Sequence, residues 1–304
     1  MNVIIAINRF LKHLAACGYA QSTLKGYARG ILAFGRYLEQ AGIEDIKQVS
    51  EETMRQYQLS LLNSRLAPES RALKVRPVKR FCEYLVQHNL LLINPAGNIV
   101  EVSRRRRKFG PVLSEYEMSV LLNQPNRKTL VGMRNRAIMV LLYSTGIRLG
   151  ELLGLQTNDV DMEGGLLFVR RGKGARHRVV PLGEMAADCL SKYLRKVRPH
   201  HHNSHSNGQA LFLTAWGRPL SEAVIRSLFR DYKTAAGIDT PVSPHVLRRS
   251  CATHLLNAGA DIRYVQQLLG HTSLKVTHSY TKVLPVDLKR THAKTHPGVA
   301  DAVH

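Results

Sequence analysis

One stretch of this chain carries a clear strand pattern, and that limits what the rest can build. Gly164-Gly165 opens LLFVR (166–170), the turn RGKGA (171–175) and RHRVVPL (176–182). Two β-rich runs around a glycine-containing connection predict a hairpin. Elsewhere the apolar residues return at helical spacing. The expected fold is therefore mainly α with a small antiparallel β-sheet.

The first hundred residues read as all helix. Ile4, Ile7, Phe10, Leu11 and Leu14 share one face, and Ile31, Phe34 and Leu38 share another. Gly18 and Gly42 act as helix stops, and Ser22 or Thr23 can cap the helix that runs through Tyr27. Further helices are expected over 50–63 and 68–88. The last sets Arg71, Lys74, Arg76, Lys79 and Arg80 beside Val75, Val78, Phe81 and Leu85. Its basic side suits a helix laid against phosphates, and equally a solvated face on a core helix. Asn94-Pro95-Ala96-Gly97 is a turn signal. After it Arg104, Arg105, Arg106, Arg107 and Lys108 form a run whose self-repulsion keeps it out of a core. A linker that tracks a nucleic-acid backbone fits this run better than a nuclear-localisation signal.

Charge narrows the partner. The 304 residues hold 44 Lys plus Arg against 22 Asp plus Glu, a formal +22. Such an excess attracts polyanions and releases their counterions. Aromatics are only 6% of the chain, which disfavours single-strand binding by repeated base stacking. A duplex backbone is the better fit. No apolar run approaches the roughly 20 residues that cross a bilayer, and the N-terminus reads as an amphipathic helix rather than a signal peptide. Cys17, Cys82, Cys189 and Cys251 are scattered without a CxxC pair. That predicts a reduced, cytoplasmic protein with four buried thiols and no membrane partner.

In the second half, Ser114 with Glu117 is a capping box ahead of a helix through Leu122. Helices are expected over 134–143 and 185–197. RPHHHNSHSNGQ (198–209) reads as a polar loop, and a metal site on its histidines is the weaker reading.

Four segments carry chemistry. STGIRLGELLGL (144–155) sets Arg148 and Glu151 one helical turn apart, with Gly146 and Gly150 allowing close backbone approach. RGKGARH (171–177) puts Lys173 at the hairpin tip. SPHVLRRSCATHLL (243–256) sets His245 and Arg248 at i, i+3, with Pro244 suited to the first turn. LLGHTSLKVTHSY (268–280) holds His271 and Tyr280. Together these are parts for phosphoryl transfer without a metal. Arg148 and Arg248 can clamp the non-bridging oxygens of a phosphodiester. Tyr280 can attack as a phenolate, His245 and His271 can move protons or donate hydrogen bonds, and Lys173 can protonate the leaving oxygen. Each residue alone has a plain structural explanation; the ordered set is specific. His254 and His278 read as structural.

In that order the residues resemble the tyrosine recombinase, or phage integrase, family, and the Xer-type branch of it. TGIRLGEL resembles the first catalytic-arginine box and implies Arg148, with Glu151 beside it. Lys173 falls on the hairpin lysine, His245 and Arg248 on His-x-x-Arg, His271 on the LLGH histidine, and Tyr280 on the nucleophile of SYTKV. Arg249 stands where Xer-type proteins often have His, a non-catalytic position. The resemblance implies a two-domain DNA clamp: a helical core-binding (SAM-like) domain over 1–97, a basic linker over 98–112, an α/β catalytic domain over 113–283, and a tail over 284–304 that packs on a neighbouring protomer. It implies site-specific cleavage and rejoining of double-stranded DNA through a 3′-phosphotyrosine, in integration, excision or resolution. A homotetramer on DNA is expected, with or without a second recombinase, and neither metal nor other cofactor. Two further readings stand beside it: a non-catalytic architectural DNA-binding protein and a type IB topoisomerase.

Overall fold

The computed structural model describes residues 1–99, 110–170, 178–201 and 209–270. The chain divides into two compact units, Met1–Lys108 and Phe109–His304. Among the described residues it is mostly helical, with one small antiparallel sheet.

The first unit holds four helices: α1 (Val3–Ala16), α2 (Gln21–Gln40), α3 (Glu51–Leu62) and α4 (Pro68–Gln87). Gly18 and Gly42 follow the first two with positive φ, as helix stops do. Helix α2 begins one residue earlier than the expected cap. Ala20 takes the N-cap position without a side-chain hydrogen bond, and positions 22 and 23 fall inside the helix rather than at its cap. Most of the face expected to be apolar is buried, with Phe10, Phe34, Phe81 and Leu85 sealed in one core, but Ile4 corrects the expectation: near the start of α1 it is 64% exposed. Phe10 meets Phe81 edge-on at 5.4 Å. Pro77 lies inside α4, where it costs a helical hydrogen bond. Its ring packs on Gly30 of α2 so closely that a Cβ there would come within 2.6 Å of Pro77 Cγ. Cys17 corrects one expectation. It is exposed, with Sγ 3.5 Å from His13 Nε2, whereas Cys82, Cys189 and Cys251 are buried. It comes directly after the last residue of α1, where the chain turns away from the core.

The second unit begins its regular structure at α5 (Glu115–Asn123), capped as expected by Ser114 with Glu117. Its centre is α6 (Leu130–Thr145), buried on nearly every side. A helix apolar all round belongs in a protein interior. After it come the one-turn α7 (Leu149–Leu153) and the sheet, β1 (Val160–Asp161), β2 (Leu166–Val169) and β3 (Arg178–Pro181). The order is β1-β2-β3, antiparallel throughout, with Val169 opposite Arg178. The hairpin stands where its pattern put it; β1 is a two-residue addition that no alternation could announce.

Helix α8 (Glu184–Lys192) continues as a wider π-type turn over Tyr193–Val197 and then as α9 (Arg198–His201). The polar loop expected over 198–209 therefore starts as helix. Tyr193 and Val197 are buried, and Arg198 donates to the carbonyl of Ala210 at 2.9 Å. Packing thus holds the segment where composition argued for a loop, and His201 is buried. Helices α10 (Glu222–Ala235), α11 (Pro244–Asn257) and α12 (Ile262–Leu269) complete the described unit. α11 lies against α6, and α12 against α11. No helix among the described residues is long and apolar enough to cross a membrane.

Candidate active site

The site is built where α6 stops. Gly146 ends that helix in the left-handed region, at φ 58°. A Cβ there would also lie 2.6 Å from Leu269 Cδ2, so the position needs glycine for conformation and for space. Gly150, expected to serve the same purpose, has open space around it and does not. Arg148 follows as the N-cap of α7, and Glu151 in the first turn reaches back to it. The Arg148 backbone N–H donates to Glu151 Oε2 at 2.7 Å, and its Nη1 donates to Oε1 at 2.9 Å. Arg178, the first residue of β3, grips the same carboxylate from another direction. Its Nη1 donates to Oε1 at 2.9 Å and its Nη2 to Oε2 at 2.8 Å.

Arg248 comes from α11, which starts with Ser243 as cap and Pro244 in the first turn. It is buried, and its guanidinium donates to the carbonyls of Gly146 and Leu269. Arg178 Nε donates to Leu268 O at 3.1 Å, and Arg148 Nη2 to Gly270 O at 3.2 Å. Three guanidiniums thus meet three successive carbonyls at the C-terminal end of α12. Carbonyls in the last turn of a helix carry the negative end of its dipole, so cations suit them.

Electrostatics follow from this packing. Burial alone would raise the Glu151 pKa, but hydrogen bonds from Arg178 and Arg148 outweigh it and bring it to about 2. The carboxylate is ionised at any working pH. Burial, then the nearby Arg148, pushes Arg248 down to about 10, and it stays charged at neutral pH. Three guanidiniums against one carboxylate leave an excess of positive charge. An oxyanion entering here relieves repulsion between closely set cations, which is what a pentavalent phosphate with charge on its non-bridging oxygens would do.

Of the expected site residues, the fold brings Arg148 and Arg248 together around Glu151. His245 is exposed in the first turn of α11, one turn before the buried Arg248. Lys173, His271 and Tyr280 lie outside the described residues, as do Arg104, Arg105, Arg106 and Arg107. Lys74 is half-buried on α4, and Lys79 donates to the Ile99 carbonyl at 3.1 Å. Arg249 is exposed and donates to Pro111 O. His254 is structural, as its residue pattern suggested. Its Nε2 faces the Leu113 carbonyl at 2.9 Å and its Nδ1 the Tyr143 hydroxyl at 2.8 Å. Because a carbonyl only accepts, Nε2 carries the proton and Nδ1 accepts from Tyr143. Among the described residues no group of three or more His, Cys, Asp and Glu is placed to hold a metal ion. Arg178 is the residue that sequence reasoning missed. The one available signal was a charged residue at the start of an otherwise apolar strand.

Comparison with known proteins agrees with this architecture. Residues 7–89 match the phage integrase N-terminal SAM-like domain, and residues 111–285 match the phage integrase family. The chain is 37% identical to tyrosine recombinase XerC 2 of Ralstonia nicotianae over 290 residues, covering 93% of this chain and 83% of that protein. It is 35% identical to tyrosine recombinase XerD of Shewanella oneidensis, covering 96% of each. In fold it is similar to the XerH site-specific recombinase bound to its difH substrate, with a TM-score of 0.72 at 20% identity over 97% of this chain and 92% of that one. With both family regions matched and these relatives aligned nearly end to end, the chain belongs to the phage integrase family.

Proposed function

We infer that this chain is a site-specific recombinase that breaks and rejoins duplex DNA through a 3′-phosphotyrosine intermediate. The observation that carries the reading is the convergence of Arg148 and Arg248 on successive carbonyls at the end of α12, beside Glu151, in a chain of the phage integrase family. In this mechanism Arg148 and Arg248 bind the non-bridging oxygens of the scissile phosphate. Their stabilisation grows as negative charge gathers on those oxygens. The Tyr280 phenolate attacks phosphorus, the P–O5′ bond breaks, and Lys173 protonates the departing 5′-oxygen. His245 and His271 hydrogen-bond the phosphate and relay the tyrosine proton. In the reverse step a 5′-hydroxyl attacks the phosphotyrosine and the phenolate leaves. Each cleaved bond is stored as another phosphodiester, so the exchange balances without an external energy source.

Residues 1–97 and 113–283 act as the core-binding and catalytic domains, and 98–112 follows the DNA backbone through Arg104 to Arg107. Lys74 and Lys79 add phosphate contacts. Four protomers assemble on paired sites, alone or with a second recombinase, and the 284–304 tail packs on a neighbour. The protein works in the cytoplasm.

The test uses a duplex that the protein selects from a random-sequence pool, nicked close to the cleavage position so that the cut fragment diffuses away. Wild type should accumulate a covalent protein–DNA adduct, and Tyr280→Phe should bind the duplex and form none. Binding without adduct by wild type would favour the architectural reading. Relaxation of any supercoiled plasmid without site preference would favour the topoisomerase. A 5′-phosphorothiolate leaving group needs no proton, so it should restore cleavage to Lys173→Ala.

A further inference from the structure

Arg178 has no assigned part in the reaction, yet it makes the most complete set of contacts in the pocket. All three of its guanidinium nitrogens are engaged, two by Glu151 and one by the Leu268 carbonyl. Its side chain is 13% exposed, against 30% for Arg148. It is poorly placed to reach DNA and well placed to hold something that does.

We propose that Arg178 is a positioning residue for cleavage: by fixing the Glu151 carboxylate in two parallel hydrogen bonds, it sets the Arg148 guanidinium in the orientation that receives the phosphate. The inference rests on the recombinase reading above. Each Glu151 oxygen is shared, Oε1 between Arg148 Nη1 and Arg178 Nη1, Oε2 between the Arg148 backbone N–H and Arg178 Nη2. Bound from both sides, the carboxylate cannot turn. Deprived of Arg178, it can rotate to a two-pronged pair with the Arg148 side chain, the geometry an arginine and a carboxylate prefer. That pair would take up the nitrogen that otherwise points to Gly270 and the pocket. A displacement of about 1 Å in such a clamp is enough for roughly a hundredfold loss of rate.

The same contact anchors a second part of the site. Arg178 is the first residue of β3, directly after the connection that carries Lys173. One carboxylate therefore ties the base of the lysine hairpin to the first catalytic arginine. Among the described residues, the charged groups facing Glu151 are Arg148 from the start of α7, Arg178 from β3 and, further off, Arg248 from α11. α12 contributes backbone carbonyls. Removing Arg178 takes away one of the two direct partners of a buried carboxylate, so its proton affinity must rise.

The experiment measures single-turnover adduct formation at saturating nicked duplex, for wild type, Arg178→Ala and Arg178→Lys, between pH 6 and 8. Arg178→Ala should cleave about 100-fold more slowly at pH 7, with duplex Kd within about threefold of wild type. Arg178→Lys, which restores charge without the fork, should fall between the two. Where thermal melting shows Arg178→Ala to be unfolded, Arg178→Lys decides alone: slower cleavage at unchanged Kd supports the proposal, and wild-type cleavage overturns it. A loss confined to Kd would mean that Arg178 meets phosphate itself and would also overturn it. Absence of adduct with wild type breaks the recombinase reading instead, so the two failures are distinct.

Discussion

The first unit is held by aromatic and aliphatic packing, with Phe10, Phe34 and Phe81 sealed in its centre. In the second unit the interior also contains Arg134, Asn135, Glu151, Asp159, Arg248 and His254, and among the described residues every buried Arg, Asn, Asp, Glu and His belongs there. Burying a charge is costly unless it is paired and hydrogen-bonded, and an apolar core of equal volume is often as stable. The first unit shows that this chain can build a core without such groups. Arg134, Asn135, Asp159 and His254 tie the second unit together through hydrogen bonds, whereas Glu151 and Arg248 lie at the candidate site, and the two interiors should fail differently when damaged.

Phe81→Ala should destabilise the first unit by about 3–5 kcal/mol, read from the denaturant midpoint, because it leaves a cavity in a sealed core. The molecules that remain folded should cleave at close to the wild-type rate. Arg148→Ala should do the reverse, slowing cleavage by about 10²–10³-fold while the melting temperature moves little. A large melting shift would mean that the arginine is structural and the contrast between the units false. Glu151→Gln should touch both readouts, since it removes the one negative charge among three arginines. Its cost in stability should be about 3 kcal/mol at pH 7. Because folding depresses the Glu151 pKa to about 2, the ionised group stabilises the fold above the ordinary carboxylate pKa. That stability disappears as pH falls towards 2. The gap between wild type and Glu151→Gln should therefore close over that range in urea titrations. The smallest effect belongs to Ser114→Ala, about 1 kcal/mol, because it removes only the cap of α5.

The helices and the hairpin were legible in the sequence because periodicity is a local property. So was the Ser114 capping box, and Arg148 and Arg248, each in a compact segment with a recognisable order, are brought to neighbouring carbonyls by the fold. Arg178 was not legible, since its partner is 27 residues away and only the folded sheet brings the two together. His201 and α9 were misread for a related reason. A run of histidines argues for a loop by composition, but burial of Tyr193 and Val197 decides the segment. Gly150 looked as purposeful as Gly146, yet only Gly146 has a neighbour, Leu269, that forbids a side chain. Spacing alone does not show what lies opposite.

The central claim is that the pocket of Arg148 and Arg248 serves a nucleophile at Tyr280. It is tested most directly by trapping the wild-type adduct on the nicked duplex, digesting protein and DNA, and sequencing the modified peptide by mass spectrometry. The account predicts a nucleotide joined through a 3′-phosphate to the Tyr280 oxygen. A nucleotide on any other residue, or an adduct formed by Tyr280→Phe, would contradict it.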